Sequence, residues 1–160
     1  MARIKTASDN LAAFLDTIAF SEGTAKIGDD GYNCLYGGKL FISYADHPRM
    51  VLPTKWGNTD AAGRYQFMAL VPGKISTGTW DECKKALSLP DFSPESQDRA
   101  CIYLIQRRGA LDDVNAGRLS IAVMKCAKEW ASLPGSPYGQ PTHTMDAIKA
   151  SYLASGGQIS

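Results

Sequence analysis

The sequence lacks both a strong net charge and a long apolar run. Its 160 residues carry a formal net charge of +1, and 21% of them are charged. A chain with so little net charge has no overall field that attracts nucleic acid or an anionic membrane, so we expect neither partner. No stretch approaches the roughly 18–20 apolar residues that span a bilayer, and we expect no stable membrane insertion.

The first residues also lack the pattern of a secretory signal peptide. Met1-Ala2-Arg3-Ile4-Lys5 carries charge, but Asp16 interrupts the apolar stretch between Leu11 and Phe20. A signal peptide needs an unbroken apolar segment behind its charged start. We therefore expect the chain to be made and folded in the cytoplasm.

Cysteine and histidine are few and scattered. The four cysteines form no Cys-x-x-Cys pair, and the two histidines have no partner at ligand spacing; they are Cys34, Cys83, Cys101, Cys126, His47 and His143. This pattern predicts reduced, partly buried thiols and ordinary hydrogen-bonded or surface histidines. We expect no metal and no other cofactor.

What is present is typical of one globular domain. Hydrophobic residues make up 44% of the chain, and no repeat, low-complexity tract or linker divides it. A chain of this length buries about two thirds of its unfolded surface as one unit. We therefore predict a single domain over residues 1–160.

The order of helical and β-prone segments predicts an α+β fold. A helix is expected from Ser8 or Asp9 to Gly23, and a hairpin around Gly37-Gly38, with a third short strand near residues 49–52. Further helices are expected at 77–87 (capped by Thr77 or Thr79), at 93–108 (capped by Ser93), at 119–131, and from Thr142 or Thr144 to about 154, with a short turn at 110–115. Helices packed apart from a small antiparallel sheet would form two lobes with a groove between them.

The end of the first predicted helix breaks a local rule. Glu22 falls in the last turn of this helix, where the carbonyl dipoles disfavour a carboxylate by roughly 0.3–1 kcal/mol. Such breaks are expected where function overrides stability. A partly buried Glu at this point would have a raised pKa and would serve as a general acid. The alternative is a solvated glutamate at a helix end.

Several sequence blocks, in one order over roughly residues 10–157, resemble one enzyme family. They include Phe20-Ser21-Glu22-Gly23-Thr24, Gly37-Gly38-Lys39-Leu40-Phe41, Gly63-Arg64-Tyr65-Gln66-Phe67, Ser93-Pro94-Glu95, Trp130-Ala131-Ser132-Leu133-Pro134-Gly135 and Tyr138-Gly139-Gln140. On these blocks the chain is similar to the phage lambda endolysin family, the lambda-type lytic transglycosylases of the lysozyme-like superfamily.

The resemblance implies a lysozyme-like fold and a reaction on peptidoglycan glycan strands. The β-1,4 bond between N-acetylmuramic acid and N-acetylglucosamine would be cleaved without water, leaving a 1,6-anhydromuramic end for host cell lysis. The family's catalytic glutamate maps onto Glu22. The resemblance further implies a monomer that waits in the host cytoplasm until a holin releases it to the cell wall.

Candidate substrate-binding residues follow partly from the resemblance and partly from position. Gln66 matches the glutamine of a Gly-x-x-Gln segment that faces the substrate in the broader superfamily; the adjacent Tyr65 either contacts sugar or is structural. The Ser21 hydroxyl either orients Glu22, caps the helix or is solvated. Trp56 is the candidate for stacking on a sugar ring, whereas Trp130 fits the core.

The opposite lip of the groove is assigned to the Gly/Pro-rich loop. Tyr138 and Gln140 follow Pro134-Gly135 and are candidates to line it, unless Tyr138 only anchors the loop.

A second carboxylate is the main question that the residues leave open, because ordinary glycosidases use two. Asp29, Asp30, Asp46 and Asp60 are the nearby candidates. Asp29 and Asp30 are more simply explained as solvated loop residues, and Asp46 as a turn-forming side chain bonded to nearby backbone amides. The Asp-then-Thr pattern of T4-type lysozymes is incomplete here. The alternatives are a hydrolytic muramidase on the same fold and a non-catalytic wall-binding module.

Overall fold

The computed structural model describes residues 1–5, 8–73 and 78–160. Within this part of the chain the helices and strands follow in the order α1 (Asp9–Ser21), β1 (Leu52–Thr54), β2 (Gly57–Thr59), α2 (Thr79–Leu87), α3 (Pro94–Arg107), α4 (Leu111–Asn115), α5 (Leu119–Cys126) and α6 (Met145–Ala154). The predicted α+β class, mostly helical with a small antiparallel sheet, is confirmed. Among the described helices, none is both long and apolar enough to cross a membrane.

Helix α1 lies at the centre of the helical part. The Ser8 side chain caps it by accepting the Leu11 N–H at 3.3 Å, as the sequence predicts. Its apolar residues, including Phe14, Leu15 and Ile18, are buried, because α1 packs against α3, α4 and α6. This packing fixes the direction of the helix end that carries Glu22.

The later helices agree with the sequence in position and differ in length. Ser93 and Thr144 cap α3 and α6 as predicted, and the predicted turn at 110–115 is the short helix α4. Helix α2 begins at Thr79 without a side-chain cap, and the alternative cap Thr77 lies outside the described residues.

The prediction that the fifth helix continues to residue 131 is wrong. Helix α5 ends at Cys126, and the Glu129 N–H donates to the Cys126 carbonyl at 2.8 Å in a tight turn. The Glu129 carboxylate accepts hydrogen bonds from Arg107 and Arg108 on α3. These two arginines hold the chain in the turn, so Trp130 and its neighbours lie outside the helix.

The predicted hairpin around Gly37-Gly38 is reduced to one bridge. The chain does reverse there, but only Cys34 and Leu40 pair, across a 3-10 turn. Leu35 bonds on two sides: its N–H donates to the Lys39 carbonyl at 2.7 Å across the reversal, and it also forms a bridge with Ala62.

The two-stranded sheet forms later in the chain, where β1 pairs antiparallel with β2. Leu52 lies opposite Thr59, and Lys55 and Trp56 form the connection. The third strand expected near 49–52 corresponds to β1, which begins at Leu52. Among the described residues, β1 and β2 form the only sheet.

All four cysteines are buried and form no disulfide. Burial raises the pKa of Cys83 and Cys126 to about 12, so these thiols stay protonated. They act as small apolar side chains, as the sequence predicts.

A buried carboxylate, Asp98 on α3, attaches the N-terminal segment to the core. Its Oδ2 accepts the backbone N–H groups of Arg3 and Ile4 at 2.7 and 2.8 Å. Its Oδ1 accepts the hydroxyls of Tyr32 and Tyr65 at 2.8 and 2.6 Å. One side chain thus satisfies donors from three separate parts of the chain.

Replacing Asp98 with Ala is expected to lower the free energy of unfolding by roughly 3–5 kcal/mol. The reason is that the buried hydroxyls of Tyr32 and Tyr65 and the backbone N–H groups of Arg3 and Ile4 lose their acceptor together. Chemical denaturation measures the change. The control Asp112→Ala removes an exposed carboxylate from α4 and should cost less than about 1 kcal/mol. Equal losses in the two variants would contradict this account of Asp98.

Candidate active site

Glu22 lies at the carboxyl end of α1, where the helix closes in a left-handed turn. Its N–H donates to the Ile18 carbonyl at 2.9 Å, and Gly23 adopts a φ of 71°. A positive φ strains any residue with a side chain, so glycine suits this position. The predicted helix stop is confirmed, and it directs the Glu22 side chain out of the helix toward residues of the loop after α5.

In that loop, Ser132 contacts the Glu22 carboxyl group directly. The Ser132 hydroxyl donates to Glu22 Oε1 at 2.5 Å and accepts the Ser21 hydroxyl at 2.7 Å. The loop is held in place by His143, whose backbone N–H donates to the Ser132 carbonyl at 3.0 Å. The His143 ring nitrogen Nε2 also lies 3.2 Å from the Ser21 carbonyl oxygen, which is an acceptor.

The surroundings of Glu22 favour its protonated form. Burial raises the pKa of Glu22 to about 7, and the hydrogen bond from Ser132 lowers it. Burial is the larger effect because removing a carboxylate from water penalises its charge. A carboxyl group with this pKa carries a proton for a large fraction of the time near neutral pH, as a general acid requires.

A second segment, the turn at residues 63–66, is attached to both sides of this site. The Thr24 hydroxyl, two residues after Glu22, donates to the Arg64 carbonyl at 2.5 Å. The Trp130 indole N–H, two residues before Ser132, donates to the Tyr65 carbonyl at 3.2 Å. The turn therefore joins the end of α1 to the loop after α5.

Gln97 on α3 packs closely against the same turn and fixes its position. The buried Gln97 accepts the Arg64 N–H at 2.9 Å and donates to the Tyr32 and Phe92 carbonyls. A Cβ atom added to Gly63 would lie 2.3 Å from Gln97 Oε1, and Gly63 has a φ of 80°. Only glycine permits this close approach between the turn and α3.

Gln66 ends this turn in a conformation that glutamine rarely adopts. Its φ is 51°, and its side-chain amide donates to the Gly63 carbonyl at 3.0 Å. Non-glycine residues in the left-handed region cost free energy and are concentrated at functional sites. The structure thus places Gln66 on the turn that Thr24 and Trp130 connect to Glu22.

Two other members of the turn are structural. Tyr65 is only 1% exposed, and its hydroxyl donates to Asp98, so its side chain has no surface to offer a sugar. The expectation that Tyr65 binds substrate is corrected on this ground, and the structural alternative holds. Arg64 is equally buried and pairs with Asp16 at 2.7 Å and Asp30 at 2.9 Å.

The remaining predicted binding residues are exposed on separate surface segments. Trp56 is 53% exposed in the β1–β2 connection, with the Lys55 ammonium group 5.0 Å from its ring centroid. Tyr138 is 56% exposed, and its hydroxyl donates to the Lys128 carbonyl at 2.7 Å, which anchors the loop. Gln140 is exposed two residues further along. The structure brings together Ser21, Glu22 and the turn of Gln66, and it leaves these three residues at the periphery.

Two pockets are lined by residues close in sequence to the site. The smaller, of about 350 Å³, is lined by Phe67, Trp130 and Ala131 and by the predicted binding residue Tyr138. The larger, of about 760 Å³ between α1 and α6, is lined by Phe20 and Ala25 on either side of Glu22 in the sequence, and by Asp30. Glu22, Ser132 and Gln66 line neither pocket.

The candidate second carboxylates are all engaged by other groups. Asp29 pairs with Arg3 and accepts the Tyr44 hydroxyl, Asp30 pairs with Arg64, and Asp60 accepts the Ala69 N–H at 2.9 Å. Asp46 pairs with Lys84 at 2.9 Å. Although burial opposes it, hydrogen bonds from Lys84 and the His47 backbone lower the pKa of Asp46 to about 2. These contacts assign structural roles to the four carboxylates.

Sequence reasoning missed Ser132, Gln97 and the position of His143. Each of them contacts the site across more than 30 residues of sequence. Ser132 lies in a block that carries the family resemblance, and this block was the one available indication. Nothing in the local sequence distinguishes Gln97 from an ordinary polar residue of a helix.

Glu22→Gln is expected to stabilise the protein at high pH. The folded state keeps its proton between the ordinary pKa of 4.5 and about 7, whereas the unfolded state loses it. Stability therefore falls as pH rises through this interval, because the folded protein must then bury a charge. Glutamine avoids that penalty and retains an acceptor for Ser132.

Denaturation at about pH 8 should show a gain of roughly 1–3 kcal/mol for Glu22→Gln over the unaltered protein. At about pH 4.5 the gain should nearly vanish. The matched control Glu95→Gln changes an exposed carboxylate at the start of α3 and should show no such pH-dependent gain. A gain of equal size at both pH values would contradict a raised pKa for Glu22.

The chain is similar to known proteins over nearly its whole length. A family model described as Endolysin matches residues 12–159. The endolysin of Escherichia phage P2 is 41% identical over 162 residues, which cover 92% of this chain and 93% of the relative. The endolysin of Escherichia phage lambda is also 41% identical, over 153 residues that cover 92% of this chain and 91% of the relative.

Solved structures give the same result. Bacteriophage lambda lysozyme complexed with a chitohexasaccharide superimposes with a TM-score of 0.88 at 36% identity, covering 98% of this chain and all of the other. A second structure of lysozyme from bacteriophage lambda gives a TM-score of 0.84 at 35% identity. The fold, the position of Glu22 and these similarities together show that the chain belongs to the endolysin family.

Proposed function

We propose that this protein degrades bacterial peptidoglycan for host cell lysis, and that it does so as a lytic transglycosylase. The substrate would be the glycan strand, cleaved at the β-1,4 bond between N-acetylmuramic acid and N-acetylglucosamine. The observation that carries the proposal is Glu22, a partly buried carboxyl group with a pKa of about 7 that is held by Ser132. A glycan-bound relative of the same fold supports the substrate class.

In the first step, Glu22 gives its proton to the glycosidic oxygen. The bond between that oxygen and C1 of the muramic residue breaks, and its electron pair leaves with the oxygen, while positive charge develops at C1. The partly buried carboxyl group suits this step because it is protonated near neutral pH.

In the second step, the Glu22 carboxylate takes the proton of the C6 hydroxyl of the same sugar. The C6 oxygen then bonds to C1, which closes the 1,6-anhydro ring and returns Glu22 to its protonated form. Because the nucleophile belongs to the substrate, its effective concentration is high and no water is required. One carboxyl group thus performs both proton transfers.

The engagement of the candidate second acids by other groups supports this route over hydrolysis. Asp29, Asp30, Asp46 and Asp60, the nearby carboxylates, are bound to other groups among the described residues. A retaining glycosidase needs a second carboxylate as nucleophile, and an inverting one needs it to activate water. A hydrolytic muramidase on this fold is the alternative, since structures of this fold are named lysozyme.

Other parts of the site would bind the glycan and set where the enzyme acts. We propose that Gln66 and Ser21 support the reacting sugar and the acid, and that Trp56, Tyr138 and Gln140 contact sugars further along the strand. The protein would act as a monomer, without metal or another cofactor. It would remain in the host cytoplasm until a holin gives it access to the cell wall.

Mass analysis of the products from purified peptidoglycan distinguishes the two reactions. We expect muropeptides with 1,6-anhydromuramic ends, which are lighter by one water than hydrolysed products. Glu22→Gln should lower the rate at least about 100-fold, because it removes the group that transfers both protons. Glu95→Gln should retain the full rate. Hydrolysed ends would overturn the transglycosylase proposal, and an active Glu22→Gln variant would overturn the role of Glu22.

Trp56→Ala should weaken substrate binding without changing the chemistry. Loss of one exposed aromatic face from a binding surface costs roughly 1–2 kcal/mol, so we expect KM to rise about 5- to 30-fold with kcat nearly unchanged. Ile42→Ala, which removes a fully exposed apolar side chain elsewhere, is the control and should leave KM unchanged. Steady-state rates on soluble glycan strands give both constants. An unchanged KM in Trp56→Ala would remove Trp56 from the binding surface.

A further inference from the structure

Three hydroxyl and carboxyl groups at the site form a directed chain of hydrogen bonds. Ser21 Oγ donates to Ser132 Oγ at 2.7 Å, and Ser132 Oγ donates to Glu22 Oε1 at 2.5 Å. Ser132 therefore uses its only hydrogen on Glu22, and its own oxygen is occupied by Ser21. The second carboxyl oxygen, Oε2, receives no hydrogen from Ser132 in this arrangement.

We propose that Ser132 is a positioning residue of the reaction, which confines the transferable proton of Glu22 to Oε2. The proposal rests on the proposed function, because it concerns how the acid of that reaction is oriented. An oxygen that accepts a hydrogen bond from Ser132 is a poor place for the acidic proton, so the proton occupies the other oxygen. The proton then has one defined direction in which to leave.

The same hydrogen bond acts at both steps of the reaction. When Oε2 has given its proton to the glycosidic oxygen, Glu22 is an anion, and a hydrogen bond to a charged group is stronger than one to a neutral group. Ser132 thus stabilises the carboxylate that forms during bond cleavage. When Oε2 takes the C6 proton, the carboxyl group returns to its starting state with Ser132 still bound to Oε1.

The position of Ser132 depends on tertiary contacts of its loop. The His143 N–H holds the Ser132 carbonyl at 3.0 Å, and the Trp130 indole holds the loop to the Tyr65 carbonyl at 3.2 Å. Ser21 is 4% exposed, so its hydroxyl is fixed by the surrounding atoms. The donor on Ser132 is therefore preorganised before any substrate arrives, which is the condition for an efficient positioning group.

The ionisable groups on the neighbouring segments are engaged with other partners. Arg64 pairs with Asp16, Tyr65 donates to Asp98, and Glu129 pairs with Arg108. Lys26 and Lys128 are exposed. His143 lies beside the hydrogen-bonded groups, with its ring Nε2 3.2 Å from the Ser21 carbonyl oxygen. A variant of His143 is therefore part of the test.

The test is the pH dependence of kcat/KM for peptidoglycan cleavage, which reports the ionisation of the free enzyme. For the unaltered protein the rate should fall as pH rises through about 7, because Glu22 loses its proton there. In Ser132→Ala the carboxylate loses its donor, so this fall should move to higher pH by about one pH unit. The maximal rate should drop about tenfold, since the proton is no longer confined and the anion is less stabilised.

Two further variants separate positioning from general damage to the loop. Ser132→Thr keeps the hydroxyl and should restore most of the rate and the original pH of the fall. Ser136→Ala is the matched control, because Ser136 Oγ lies in the same loop, is buried, and has no hydrogen-bond partner among the described residues. Ser136→Ala removes a hydroxyl from the same loop without removing a hydrogen bond, so the pH profile of kcat/KM should be unchanged.

The variant His143→Gln tests whether His143, rather than Glu22, sets the pH at which the rate falls. Glutamine can still donate to the Ser21 carbonyl, so the fall in rate should stay near the original pH if Glu22 sets it. Thermal unfolding of every variant establishes that each is folded at the assay temperature.

The proposal is overturned if folded Ser132→Ala keeps the pH of the fall, if Ser132→Thr behaves like Ser132→Ala, or if the fall moves only in His143→Gln. Product masses from the same reactions keep this outcome separate from the proposed function. Anhydro products together with an unshifted Ser132→Ala profile would reject the positioning role alone, whereas hydrolysed products would reject the transglycosylase reaction itself.

Discussion

The buried polar contacts between α3 and the turn at residues 63–66 hold the candidate active site together. Gln97 binds the backbone of this turn, and Asp98 binds the hydroxyl of Tyr65 within it. The carbonyl groups of the same turn accept hydrogen bonds from Thr24 and Trp130, which belong to the segments that carry Glu22 and Ser132. Because buried polar groups are costly when unpaired, each of these bonds constrains the others, and the site forms only when all its segments are in place.

This arrangement gives a carboxyl group at a helix end the properties that the proposed general acid needs. The loss of water opposes a charge on Glu22, and the Ser132 hydroxyl partly offsets this effect. In the proposed reaction, stronger stabilisation of the anion would leave too little acid at neutral pH, and weaker stabilisation would make the carboxylate a poor product of the first step. A pKa near neutrality suits a group that would both give and take a proton.

The sequence predicted those elements whose formation depends on nearby residues. The caps at Ser8, Ser93 and Thr144 bond to backbone groups three residues away, so local chemistry identifies them. The hairpin at Gly37-Gly38 and the length of α5 were predicted less well because distant partners decide them. Leu35 bridges to the distant Ala62 as well as bonding to Lys39, and the two arginines at the end of α3 bond to Glu129 in the turn after α5. Local propensity contains no information about either partner.

The sequence alone determined that the fold is mostly helical, that Glu22 ends its first helix, and that the chain resembles the endolysin family to which it belongs. These properties follow from periodicity, caps and residue blocks that are read along the chain. Only the tertiary structure decided that Tyr65 faces the core and that Ser132 binds the acid, because these contacts join residues 33 and 110 positions apart. The pKa of Glu22 belongs to the same class, since burial by distant segments, rather than the identity of its neighbours in sequence, sets it.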